Sequence, residues 1–143
     1  MIALDEAQAA TIREHGLRTY PEECCGALLG RFVDGLAVVE LAWPIVNVRP
    51  DTRRRRFLVD PRDYLTVERE AARRGLEVLG FYHSHPDHPA LPSEFDRQHA
   101  WPNLHYVIVE VDAGVPREIT SWLLSEDRSI MREERILPAR RTA

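Results

Sequence analysis

The sequence predicts a single-domain α/β protein, one sheet carrying helices on its faces. Helix-like and strand-like apolar periods are interspersed along the chain rather than segregated. The run from Glu77 to His85 is apolar on both faces, as a strand buried in mid-sheet must be. No repeat, linker or shift in composition divides the 143 residues, a length that supports one core. The expected domain spans residues 1–137, with 138–143 as a frayed tail.

The elements follow in order. Helical spacing of Ala7, Ala10, Ile12 and Leu17, with Asp5 placed to cap, predicts a helix over residues 5–19 that Gly16 weakens. Cys24 to Phe32 reads as a strand, Asp34-Gly35 as a hairpin turn, and Leu36 to Val46 as the returning strand. Arg53 to Val59 reads as a short strand. Asp60-Pro61 is an N-cap with proline at the first helical position, opening a helix that stops at Gly75. After the strand Glu77 to His85 come a proline-rich loop and a short helix from Ser93. Strands Leu104 to Val111 and Glu118 to Leu124 follow, then a weaker one over Ile130 to Leu137.

Composition excludes several functions. A formal charge of -4 gives no reason to expect nucleic acid as the partner. No apolar run approaches the roughly 20 residues of a membrane span, and acids stand where a secretory signal has its basic region, so cytoplasm is the expected compartment. Cys24 and Cys25 are adjacent and cannot staple distant segments. All nineteen basic residues are arginine, so the chain offers no lysine side chain for isopeptide tagging of itself. The run Arg53 to Arg56 reads as a solvated loop or strand edge, with steering of an acidic partner as the alternative.

The chemistry concentrates between His83 and Asp96. Histidines at i and i+2 of a strand project to the same face. Two imidazoles plus a carboxylate returned by the following turn leave the fourth tetrahedral position of zinc open for water. The bound metal would lower that water's pKa toward 7, and hydrolysis then needs a carboxylate from outside the motif to move the proton. Each piece also has a plainer reading. Ser93-Glu-Phe-Asp96 has nearly the form of a helix capping box, and a single histidine is more often a satisfied core residue. The plainer readings do not explain why a capped helix begins just beyond a paired-histidine strand end. Cap and site can coexist, the helix start fixing Ser93 and Asp96 in place.

The spacing His-x-His, seven residues, Ser, two residues, Asp resembles that of the JAMM (MPN-plus) metallopeptidases. Their pattern also places a glutamate upstream in Pro-x-Glu-x-Cys-Gly, and this chain has Pro21-Glu22-Glu23-Cys24-Cys25-Gly26. The resemblance extends from about Glu6 to Leu124. It implies a three-layer α-β-α MPN/JAB fold, cytidine-deaminase-like, with a mixed sheet. It further implies one Zn2+ held by His83, His85 and Asp96, Glu23 rather than Glu22 as general acid/base, Ser93 as oxyanion donor, and Cys25 as a packing residue. His83-Ser-His85-Pro-Asp87-His88 also fits the His-x-His-x-Asp-His signature of metallo-β-lactamase-type hydrolases. Residues 89–143 are too few for the second half of that fold, so His88 is expected as a loop residue near the site. His99 and His105 are expected to be structural or exposed. Amidohydrolase barrels need roughly 250 residues and are excluded.

The loop Pro86 to Pro92 is minimal, which resembles the prokaryotic stand-alone members acting on small ubiquitin-like sulfur-carrier proteins. The implied function is cleavage after a carrier's C-terminal Gly-Gly. Removal of isopeptide-linked modifiers comes second, and a non-catalytic MPN-type scaffold is the alternative. An extended diglycine tail can add to a sheet edge and enter a narrow channel.

Overall fold

The structure, a computed structural model, describes residues 1–45 and 61–138. The expected strand Arg53 to Val59, the Asp60 cap, the arginine run Arg53 to Arg56 and the tail from 139 onward lie outside the described residues. The elements are β1 (Ile2–Ala3), α1 (Glu6–Thr19), β2 (Cys25–Val33), β3 (Leu36–Ile45), α2 (Pro61–Arg73), β4 (Glu77–Pro86), α3 (Glu94–His99), β5 (His105–Asp112), β6 (Val115–Leu124), β7 (Met131–Glu134) and β8 (Ile136–Leu137). They form the expected single-domain α/β fold with a mixed sheet. The strand order is β7-β6-β5-β4-β2-β3-β1-β8, parallel at β4/β5, β1/β3 and β1/β8 and antiparallel elsewhere. No described helix is long and apolar enough to cross a membrane.

Side chains alternate across β2 and build a core on each face. Cys25, Ala27 and Leu29 pack with Val67 and Ala71 of α2, while Cys24 and Leu28 pack with Ala9 and Ile12 of α1. The hairpin after β2 forms at the expected residues: Asp34 (φ 51°) and Gly35 (φ 80°) both adopt the left-handed conformation of a type I′ turn.

Three expectations need correction. The buried face of α1 is Ala9, Ile12, His15 and Gly16, whereas Ala7, Ala10 and Leu17 face solvent. A buried histidine and a glycine hid that face from an apolar count. A Cβ on Gly16 would lie 3.0 Å from Val111, so the residue that weakens the helix also lets it sit closely on β5. The weak strand expected over Ile130 to Leu137 is two strands on opposite edges, with Arg135 alone between them. The edges of a flat eight-stranded sheet would stand about 34 Å apart, and two residue steps reach only about 7 Å. The sheet is therefore curled until its edges meet, with Ile2 N–H donating to Arg135 O at 3.1 Å. The third is β1, which the sequence did not suggest: two residues carry no period.

The closed end is polar. Glu134 accepts from His105 Nδ1 (2.6 Å) and from Ser121 Oγ (2.7 Å), a structural role for His105. His83 and His85 occupy the other end of β4.

His15 is buried, and its Nδ1 shares a 2.7 Å hydrogen bond with Tyr82 Oη. Tyr82 lies over Gly26, where a Cβ would come within 2.1 Å of the ring, so only glycine admits this contact. Burial, aided by the Arg18 charge, pushes the His15 pKa from 6.5 down to about 4. Between those values the unfolded chain binds more protons than the fold, so stability is full above pH 6.5 and falls as pH drops toward 4. The loss expected from this residue is about 2 kcal/mol after allowance for solvent screening. Urea unfolding of wild type and His15→Gln at pH 7 and pH 4.5 should show a smaller acid loss in the variant. Equal acid losses would remove His15 as the cause.

Candidate metal centre

The register of β2 on β4 assembles the site. Cys25 stands opposite His83, which carries the chain just before β2 to the end of β4 that bears both histidines. Two hydrogen bonds fasten this end. Cys24 N–H donates to Ser84 Oγ (2.8 Å), and Ser84 N–H donates to Cys24 O (3.2 Å). Glu23 is thereby buried beside the histidines with 2% exposure, whereas Glu22 remains partly exposed.

The ligand candidates converge as the spacing requires. His83 Nε2 and His85 Nε2 are 3.1 Å apart, and Asp96 Oδ2 lies 3.4 Å from the first and 3.2 Å from the second. Ligand atoms at tetrahedral zinc distances stand about 3.3 Å from one another. These three residues could hold a metal ion. Asp96 also completes the capping box of α3: Ser93 N–H donates to Asp96 Oδ2 (2.9 Å), and Asp96 N–H donates to Ser93 Oγ (3.1 Å). Cap and cluster do coexist, through one carboxylate. Ser93 is exposed at the helix start, and a hydroxyl that accepts one hydrogen bond keeps its own hydrogen to donate.

The chemistry of these donors fits a cation. His85 Nδ1 donates to Pro89 O at 2.8 Å, since a carbonyl can only accept. With Nδ1 carrying that hydrogen, His85 Nε2 faces the Asp96 carboxylate, an arrangement that a proton or a metal ion bridges. The charges agree. Burial alone would lower the pKa of His83, but attraction to Asp96 reverses that and raises it. Burial would raise Asp96, yet the charge and hydrogen bond of His83 hold its carboxyl well below the usual range.

Glu23 behaves differently. Burial pushes its carboxyl up to about 8; the His83 charge opposes this and the Asp96 charge adds to it. A carboxyl with that proton affinity can accept and return a proton near neutral pH. Burial raises the Cys24 thiol to about 11 and Cys25 higher still, so neither supplies a thiolate.

His88 stacks on His85 with ring centroids 4.1 Å apart and planes at 20°, a loop residue at the site as expected. Asp87 turns its carboxylate to Tyr20 and Ala113, so the overlapping His-x-His-x-Asp-His pattern does not assemble as one cluster. His99 is exposed but lines a cavity of about 660 Å³ that opens beside His83 and Asp96. Tyr64, Phe81, Phe95, Trp101 and Tyr106 supply its rings. Reasoning from motifs missed this cavity, because its aromatics are scattered through four elements and one loop. β4, which carries both histidines, is itself paired on both sides, by β2 and β5.

Three potential ligand atoms within 3.4 Å of one another, next to a carboxyl that can shuttle a proton, suit the activation of water and place the chain among metal-dependent hydrolases. Comparison with known proteins narrows that class. Residues 5–125 match the family described as prokaryotic homologues of the JAB domain. The chain belongs to that family and is a compact peptidase of the JAMM type. It is 36% identical over 118 residues to the "Probable TtuB-protein conjugate cleaving protease" of Thermus thermophilus, covering 82% of this chain and 72% of that one. It is 34% identical over 119 residues to the "Desampylase" of Haloferax volcanii, covering 82% of each. A Desulfitobacterium hafniense protein solved in solution superposes with a TM-score of 0.86 at 32% identity, covering 99% of this chain and 94% of that one.

A saturating transition metal should stabilise the fold by up to about 4 kcal/mol at a thousandfold excess over Kd, or about 10 °C in Tm for a domain of this size. Thermal melts with and without Zn2+ measure the shift. His85→Ala should abolish it, and an equal shift in that variant would place the metal elsewhere.

Proposed function

We propose that the chain is a zinc-dependent peptidase that releases ubiquitin-like carrier proteins by cutting after their C-terminal Gly-Gly. His83, His85 and Asp96 hold one Zn2+, Glu23 is the general acid/base, and Ser93 donates to the scissile carbonyl oxygen. The triangle of ligand atoms at 3.1, 3.2 and 3.4 Å carries this reading. Zinc bound there supplies a water whose pKa is lowered toward 7. The side chains do the rest. Glu23 takes the proton of the attacking water and passes it to the leaving amine, a transfer its raised pKa suits. Ser93, fixed at the start of α3, offers its hydroxyl to the oxygen on which negative charge develops. Burial of the histidines and Glu23 lowers the local dielectric around the proton transfer.

The names of the two relatives, a protease of TtuB conjugates and a desampylase, support conjugates of small ubiquitin-like proteins as substrates. Isopeptide-linked conjugates are thus favoured over trimming of a linear extension. The aromatic cavity beside His83 and Asp96 supports binding of an extended apolar segment next to the scissile bond.

Glu23→Gln should keep its zinc, measured by elemental analysis, and lose about 10³-fold in kcat. The assay follows release of a Gly-Gly-ended ubiquitin-like carrier from a lysine conjugate by mass spectrometry. Normal cleavage by Glu23→Gln would reassign the base. Wild type that binds zinc yet cleaves neither conjugate nor extended carrier would leave the scaffold reading in place.

A further inference from the structure

We propose that Asp87 and Tyr20 are positioning residues for the metal centre, clamping the loop after β4 so that Pro89 holds His85 in its ligand tautomer. The inference rests on the metal-centre reading and extends it to residues outside the motif. Asp87 adopts a left-handed conformation (φ 60°), which turns the chain sharply at the end of β4. Its backbone N–H donates to Val111 O at 2.8 Å. Its carboxylate accepts from Ala113 N–H at 2.7 Å and from Tyr20 Oη at 2.7 Å to both oxygens. One side chain thus joins the end of α1, the turn between β5 and β6, and the exit of β4.

Three residues later the loop is pinned again. Thr120 Oγ1 donates to Ala90 O at 2.6 Å and accepts from Trp122 Nε1 at 2.8 Å, both bonds buried. Between these anchors lie only His88 and Pro89, the residues that touch His85. Pro89 O takes the Nδ1 proton, and the His88 ring covers the imidazole face. The Ala90 anchor is buried, whereas the Asp87 side chain is exposed, and beyond the backbone bond to Val111 its carboxylate braces the turn through the Tyr20 hydroxyl and the Ala113 N–H. Removing the carboxylate contacts leaves the Val111 bond but loosens the turn between it and Ala90, which lengthens the Pro89 bond and lets His85 rotate or change tautomer. Supporting partners of metal ligands act in this way, typically over 10- to 100-fold in affinity.

The test compares wild type with Tyr20→Phe, Asp87→Ala and Asp87→Asn. Zn2+ affinity is read by competition with a chromophoric chelator, and the His85 Nδ1–H by solvent exchange of its NMR signal in metal-free protein. Tyr20→Phe and Asp87→Ala should each raise the zinc Kd about tenfold and speed exchange of that proton. The metal-free Tm of Tyr20→Phe should stay within about 3 °C of wild type. Asp87→Asn retains a carbonyl acceptor for Ala113 and Tyr20 and tolerates the left-handed backbone, so it should recover most of the affinity. Wild-type affinity and exchange in Tyr20→Phe and Asp87→Ala would overturn the proposal. So would an Asp87→Asn variant as weak as Asp87→Ala, which would reduce the effect to the lost charge. Wild type that binds no zinc would defeat the metal-centre reading alone, and proton exchange would still decide the clamp.

Discussion

The site depends on the antiparallel register of β2 on β4. Pairing Cys25 with His83 brings Glu23 to two histidines sixty residues away in the chain, and the exchange between Cys24 and Ser84 locks that pairing at the site end. Side chains alternate with a period of two, so a slip of one residue would turn Glu23 to the opposite face, toward α1. The core enforces the register from both sides. Cys25, Ala27 and Leu29 must meet α2 while Cys24 and Leu28 meet α1, and any shift would expose the wrong set. Gly26 adds a steric key, because only there can the Tyr82 ring lie against β2 and reach His15.

On that frame the fold gathers a compact cluster of polar groups. Asp96 Oδ2 serves the capping box and the cluster at once, while the Pro89 carbonyl takes the His85 Nδ1 hydrogen and leaves Nε2 facing it. Attraction within the cluster overcomes burial at both His83 and Asp96. Glu23 sits close enough to feel both charges yet is governed by desolvation, which raises it. Two carboxyls in one site are thus driven apart in proton affinity, Asp96 downward and Glu23 upward. Such a separation fits the proposed division between ligand and proton carrier.

Legibility in the sequence followed locality. The capping box at Ser93, the turn at Asp34-Gly35, the stop at Gly75 and the mid-sheet strand through His85 each rest on a few neighbouring residues, and each stands where the sequence placed it. The buried face of α1 did not read correctly, because His15 and Gly16 are buried for reasons located on other strands: a tyrosine hydroxyl on β4 and a valine on β5. The splitting of Ile130 to Leu137 was equally hidden. Nothing within four-residue and two-residue strands states that they pair with opposite edges of a curled sheet.

By itself the sequence determined which atoms could meet a metal. A strand period of two puts His83 and His85 on one face, and a helix start three residues before Asp96 fixes that carboxylate. Tertiary structure decided what surrounds them: the Pro89 carbonyl that sets the His85 tautomer, the Asp87 contact with Tyr20 and Ala113, and the aromatic wall of the cavity. The physical reason is distance along the chain. Periodicity and capping act over two to four residues, whereas a carboxylate at 87 finds a hydroxyl at 20 only after α1, β4 and β5 have packed.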